Sequence, residues 1–205
     1  MRKITFRPFL AAISFIPFWA SCAPASPEVQ DLRLIKVEIV PQHQIPASDK
    51  YWDPGAITSP LVKVWFSSKE NLEQLAKLHG YNIDSVTSLC NGEVLDRNRR
   101  LRGFPSVFDA FGRIDTFRTT ASSAPPRSTG GTYLYHLYFE PRMAGVSGFY
   151  SYDLVSNPSD VCITVNGAEE VGFVMGNTFV SNALILPRQV IEKAVATAQK
   201  KGVLR

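Results

Sequence analysis

The chain has 205 residues, 45% of them hydrophobic and 20% charged, and a formal net charge of +4. Three of its 22 basic residues (Arg2, Lys3 and Arg7) and none of its 18 acidic ones precede Cys22, which leaves 19 bases against 18 acids in the rest. A body so close to neutrality has no electrostatic footprint for nucleic acid, and about 180 residues make one domain with a proper core more readily than two.

The front end has the layout of an export signal, with a basic start, the apolar stretch "PFLAAISFIPFWA" and then small residues. The stretch is shorter than the roughly 20 apolar residues of a membrane-spanning helix, and Pro17 interrupts it. Residues 1–21 are therefore expected to be a signal peptide and 22–30 a polar tether, ahead of a single β-rich domain over 31–205. "WASC" (19–22) resembles the lipobox of bacterial lipoproteins: Ala20 and Ser21 fit, while Trp19 stands where Leu is usual. The resemblance implies lipidation of Cys22 and, with Ala23 next, sorting to the outer membrane from the periplasmic side. Two rivals stay open. Cleavage after Ala25 in "APA" would leave a soluble periplasmic protein, and an uncleaved segment would be a buried N-terminal helix.

In chain order, 31–40 alternates Ile35, Val37 and Ile39 with Lys36 and Glu38, as a half-buried strand does. The next twenty residues (41–60) carry four Pro and no periodicity, and read as a loop displaying Tyr51 and Trp52. A strand at 61–68 leads to a helix. Ser67 and Glu70 have capping-box spacing, Leu72, Leu75, Ala76 and His79 form one stripe, and Gly80 marks the end. Asn91-Gly92 predicts a two-residue hairpin turn, although period alone also permits a helical 83–90.

"DRNRRLRG" (96–103) crowds Arg97, Arg99, Arg100 and Arg102 together, and alternation sends the first two to one face and the last two to the other. The stretch reads as a solvated loop or as a docking surface for an acidic protein or anionic lipid phosphates. Phe104, Phe108 and Phe111 recur at helical spacing, with core packing as the default, and 118–131 has loop composition. A long loop is thus expected over about 97–131. A central strand is predicted at 131–141. A β-meander follows at 148–156, 160–167 and 170–182, with turns at Asn157-Pro158-Ser159 and Asn166-Gly167. After a short strand in "ALIL", a helix begins at Pro187 with Val190, Ile191, Ala194, Val195 and Ala198 on one face and Lys200, Lys201 and Gly202 at its end. The expected class is mainly β (α+β): an antiparallel β-sandwich or bent sheet of about seven or eight strands with two packed helices.

No catalytic set, metal site or cofactor motif emerges. His43, His79 and His136 lack metal-ligand spacing, Ser147 fails the G-x-S-x-G pattern, and no glycine-rich phosphate loop is present. With Cys22 lipidated or removed, Cys90 and Cys162 remain, an even number that predicts a disulfide in an oxidising compartment over a free thiolate near His136. A small tethered β-domain with one bridge is similar in plan to the periplasmic immunity lipoproteins that block type VI secretion effectors. That likeness implies a non-enzymatic protein whose partner is a toxin or envelope component, held at the membrane through a lipid anchor. Arg97, Arg99, Arg100, Arg102, Tyr51 and Trp52 are the candidate partner-binding residues. Rival expectations are an envelope assembly accessory, and a lipid or small-ligand carrier lined by Tyr133, Tyr135, Phe149 and Tyr152.

Overall fold

A computed structural model describes residues 29–45, 60–92, 94–114, 131–144, 151–171 and 174–204. The elements are β1 (Arg33–Val40), β2 (Leu61–Ser68), α1 (Leu72–His79), β3 (Tyr81–Asn91), β4 (Val94–Arg100), β5 (Phe108–Asp109), β6 (Gly112–Arg113), β7 (Tyr133–Phe139), β8 (Arg142–Met143), β9 (Tyr152–Asp153), β10 (Val161–Val171), β11 (Val174–Val180), β12 (Leu184–Leu186) and α2 (Arg188–Lys200). One antiparallel sheet runs β1-β2-β7-β5-β6. A second runs β11-β10-β3-β4, with β12 also on β10, and β8 and β9 form a separate two-stranded pair. The chain is mainly β and sandwich-like, as the sequence predicts. Seven of the described strands have seven or more residues, and the rest are two- or three-residue pairings.

One hydrophobic cluster joins the sheets. Val62, Val64 and Phe66 of β2 and Tyr135, Leu137 and Phe139 of β7 share it with Ile83 of β3 and with Val161, Ile163 and Val165 of β10. Helix α2 adds Ile191, Ala194, Val195 and Ala198, the stripe read from the sequence. Its ends are well terminated. Asp160 Oδ1 accepts from the Arg188 N–H at 2.6 Å. At the other end Gly202 takes φ +69°, and the Gly202 and Val203 N–H groups bond back to Gln199 and Ala198.

Residues 101–106 stitch the two sheets together along one side. The Leu101 N–H donates to Thr87 of β3 at 2.9 Å and Ser106 bridges Asp84 of β3, while Gly103 bridges Phe139 and the Phe104 N–H donates to Tyr138 of β7 at 3.0 Å. A Cβ on Gly103 would lie 2.5 Å from the Tyr138 carbonyl oxygen, so only glycine allows this approach. On the second sheet, the Cys90–Cys162 disulfide is formed with a Cα–Cα distance of 5.1 Å. It links diagonal neighbours on β3 and β10, since Leu89 pairs with Val161 and Ser88 with Cys162.

Several local expectations shift. Helix α1 is capped by Asn71, whose side chain accepts from the Gln74 N–H at 3.0 Å, and not by a Ser67/Glu70 box; Glu70 is held by Ser68 instead. Gly80 ends it at φ +64° as expected. The first hairpin turns one residue later than Asn91-Gly92, because Asn91 is already paired with Val94; Gly92 keeps the positive φ. In β1 a bulge between Leu34 and Lys36 turns Ile35 outward. The predicted long loop starts inside β4. The phenylalanines after it are not helical: Phe108 is buried in β5 and Phe111 is exposed. The meander is also redrawn, because β9 pairs with β8 and not with β10. Strand β10 runs straight through Asn166-Gly167 and reverses only after Val171, which pairs with Val174. Phe179 lies so close over Gly167 that a Cβ there would be 2.0 Å from its ring, and this packing overrides the turn preference of the dipeptide.

Candidate functional site

The arginine stretch is built on a distorted strand. β3 and β4 pair at Cys90↔Leu95 and next at Ser88↔Arg100, so residues 96–99 stand opposite Leu89 alone. Asp96 Oδ1 accepts from the Asn98 N–H at 2.9 Å and steadies the bulge. Such an insertion re-aims side chains that a regular strand would hold in register. Arg97 lies in this bulge. Arg99 and Arg100, adjacent in sequence, diverge into two grooves.

Arg99 lines a groove of about 510 Å³ together with Arg142, Ser151, Tyr152, Asp153 and Asn157. Tyr152 is fixed there: the Arg102 N–H donates to its hydroxyl at 2.9 Å, and the hydroxyl donates to the Glu140 carbonyl at 3.1 Å. Burial works to raise the Asp153 carboxyl. Bonds from the Ser156 hydroxyl and from the Ser156 and Val155 N–H groups, with the nearby Arg142 charge, outweigh that and hold it below its ordinary value. The groove therefore sets two guanidinium groups beside an ionised, internally bonded carboxylate. That arrangement suits an anionic partner group without creating a uniform positive field.

Arg100 lines the other groove, of about 550 Å³, with Asp84, Asn166, Phe104 and Thr178. Burial pushes the Asp84 carboxyl above its ordinary value, and the Arg113 charge pulls against it. Arg102 has a structural partner, with its Nε 3.2 Å from Oε1 of the buried Glu140. The four arginines are thus not one patch. Tyr51 and Trp52, like Cys22 and Phe149, fall outside the described residues.

The histidines occupy separate environments. His136 is buried on the outward face of the first sheet, its ring 4.6 Å from Trp65, 5.4 Å from Tyr138 and 5.6 Å from Phe108. Lys63 Nζ stands 4.3 Å from the Trp65 ring centre in the same cluster. His79 stacks on Tyr81 at 5.2 Å, and His43 lies in a single 3-10 turn. Among the described residues no group of three or more His, Cys, Asp or Glu could hold a metal ion, and no helix is long and apolar enough to cross a membrane. Of the tyrosines considered for a cavity, Tyr133 and Tyr135 are buried on β7, and the Tyr135 hydroxyl accepts from the Leu72 N–H at 2.9 Å at the start of α1. Tyr152 stands in the Arg99 groove.

Arg142, Asp84 and Asn166 escape a sequence reading because nothing local marks them. Asn166 resembles a turn residue, and Arg142 stands alone in "EPRM". The chain matches no protein-family model, and neither a curated protein nor a solved structure matches it.

Proposed function

We propose that this protein is a lipid-anchored periplasmic domain that works by binding another protein, and that neutralising a toxin is the use such a binder serves. The observation that carries the reading is the convergence of Arg99, from the β4 bulge, and Arg142, from β8, on one groove. Guanidinium forks on strands recognise carboxylate surfaces in fixed geometry, and rim charge speeds encounter with an acidic partner. The Cys90–Cys162 bridge supports the compartment, since oxidising environments preserve such crosslinks. Anchoring through Cys22 would confine the binder to one membrane surface and raise its effective concentration there.

The test is affinity purification from envelope fractions of the native bacterium, with the double variant Arg99→Glu/Arg142→Glu alongside. Wild type should recover a defined partner protein that the variant loses while unfolding at a similar temperature. Equal recovery by both would reject the groove as the contact. For the anchor, Cys22→Ser should move the protein from the membrane to the soluble fraction, and unchanged fractionation would rule the anchor out.

A further inference from the structure

The face of the second sheet that points away from the shared core carries a row of acceptor oxygens. Asn166 of β10 pairs with Asp84 of β3, and Asp84 bridges Ser106 of the stitching segment. Directly paired antiparallel residues point to the same face at about 5 Å, so β10, β3 and the stitching segment contribute one side chain each to a line. Asn166 Oδ1, Asp84 Oδ1 and Ser106 Oγ are all buried, and none has a hydrogen-bond partner among the described residues. Folds rarely leave buried acceptors without donors, and each such atom calls for an explanation. Two of the three residues, Asp84 and Asn166, line the same groove as Arg100. Its volume of about 550 Å³ is in the range of small-molecule sites.

The chemistry of the lining narrows what fits. Carboxylate and amide oxygens require a ligand that brings O–H or N–H donors. Arg100 on the wall and the Arg113 charge acting on Asp84 disfavour a cation, and Asp84 itself disfavours an anion. Phe104, Val86 and Val180 supply apolar surface beside these polar groups. A molecule that is neutral, rich in hydroxyls and bears a C–H face meets all of these conditions.

We propose that the groove between β3, β10 and residues 101–106 is a binding site for a neutral saccharide. Asp84 and Asn166 accept from its hydroxyls, Arg100 donates to its oxygens, and Phe104 lies against its C–H face. The site is separate from the Arg99 groove, so the two readings stand or fall independently.

The experiment is an NMR titration of the isotope-labelled full chain with glucose, galactose, N-acetylglucosamine and maltose, using spermidine and inorganic phosphate as charged controls. At least one sugar should give saturable shifts of the Asn82, Asp84, Gly167 and Thr178 amides below about 100 mM. Asp84→Leu and Asn166→Leu should each weaken that binding at least about tenfold without lowering the unfolding temperature, because each removes a buried acceptor that lacks a donor. Should either fail to fold, Arg100→Met, changed at an exposed position, should still weaken the sugar. Binding should survive Arg99→Glu/Arg142→Glu. The proposal is overturned if no sugar shifts these amides, if only spermidine or phosphate does, or if binding persists in every folded variant.

Discussion

Glu38 sits half-buried on β1, accepting from the Trp65 indole N–H at 3.1 Å and paired with Lys36 at 2.5 Å. Burial raises its carboxyl, but the bonds from Lys36 and Trp65 outweigh this and hold it below its ordinary value of 4.5. A carboxyl depressed in the fold contributes stability that is present above its unfolded-state value and lost as pH falls through the folded-state one. Glu38→Gln should therefore be less stable than wild type near neutrality, and the gap should shrink as pH falls below the ordinary carboxyl value of 4.5. Urea unfolding at neutral and at acid pH checks this; a gap that stays constant would exclude the linkage. At this scale the sequence shows which residues alternate but not where alternation breaks. Ile35 fits the apolar stripe of its strand and is exposed all the same, because the bulge depends on how β1 registers against β2. The arginines follow the same logic: their divergence is legible in the sequence, whereas the bulge that aims Arg99 at Arg142 depends on pairing with β3.

Elements defined by local signals are the ones read most closely. β2 spans the predicted 61–68, and α2 keeps its predicted apolar face between Pro187 and Gly202. The failures come where a distant residue decides. Asn166-Gly167 has the composition of a turn, yet the Phe179 ring packed on Gly167 keeps β10 extended. Replacing Gly167 or Gly103 with Ala tests these close approaches. Each should destabilise by about 1–3 kcal/mol in urea unfolding, with Gly103→Ala the more costly. A Cβ at 103 meets a backbone oxygen and carbons of the neighbouring strand, whereas at 167 it meets ring atoms that can shift. If Gly103→Ala cost less than half a kcal/mol, roughly the level of a surface change, the tight contact with β7 would be wrong.

At the level of the whole molecule, the two large sheets share one core and one stitching segment, and a sulfur bridge staples β3 to β10 within the second sheet. The bridge spans 72 residues, a loop whose closure is worth about 4 kcal/mol on the chain-entropy view. Cys90→Ser/Cys162→Ser should lose about 2–5 kcal/mol, and reductant should lower the wild-type unfolding temperature while leaving the double variant unmoved. A wild type indifferent to reductant would exclude the bridge. Cysteine counting makes the pairing legible, and strand count with helix number gives the class. Sheet order stays hidden, because β7 settles between β2 and β5 through contacts spread across the chain. The same holds for both grooves, whose walls come from segments with no common motif.

The distance between the bridged cysteines also sets a timetable. A chain made from its N-terminus exposes Cys90 while the strand that will hold Cys162 is still to come. During that wait Cys22 is the only other thiol in the sequence. A Cys22 still free at that stage competes with Cys162 for Cys90, and the wrong pairing would leave β3 and β10 without their crosslink.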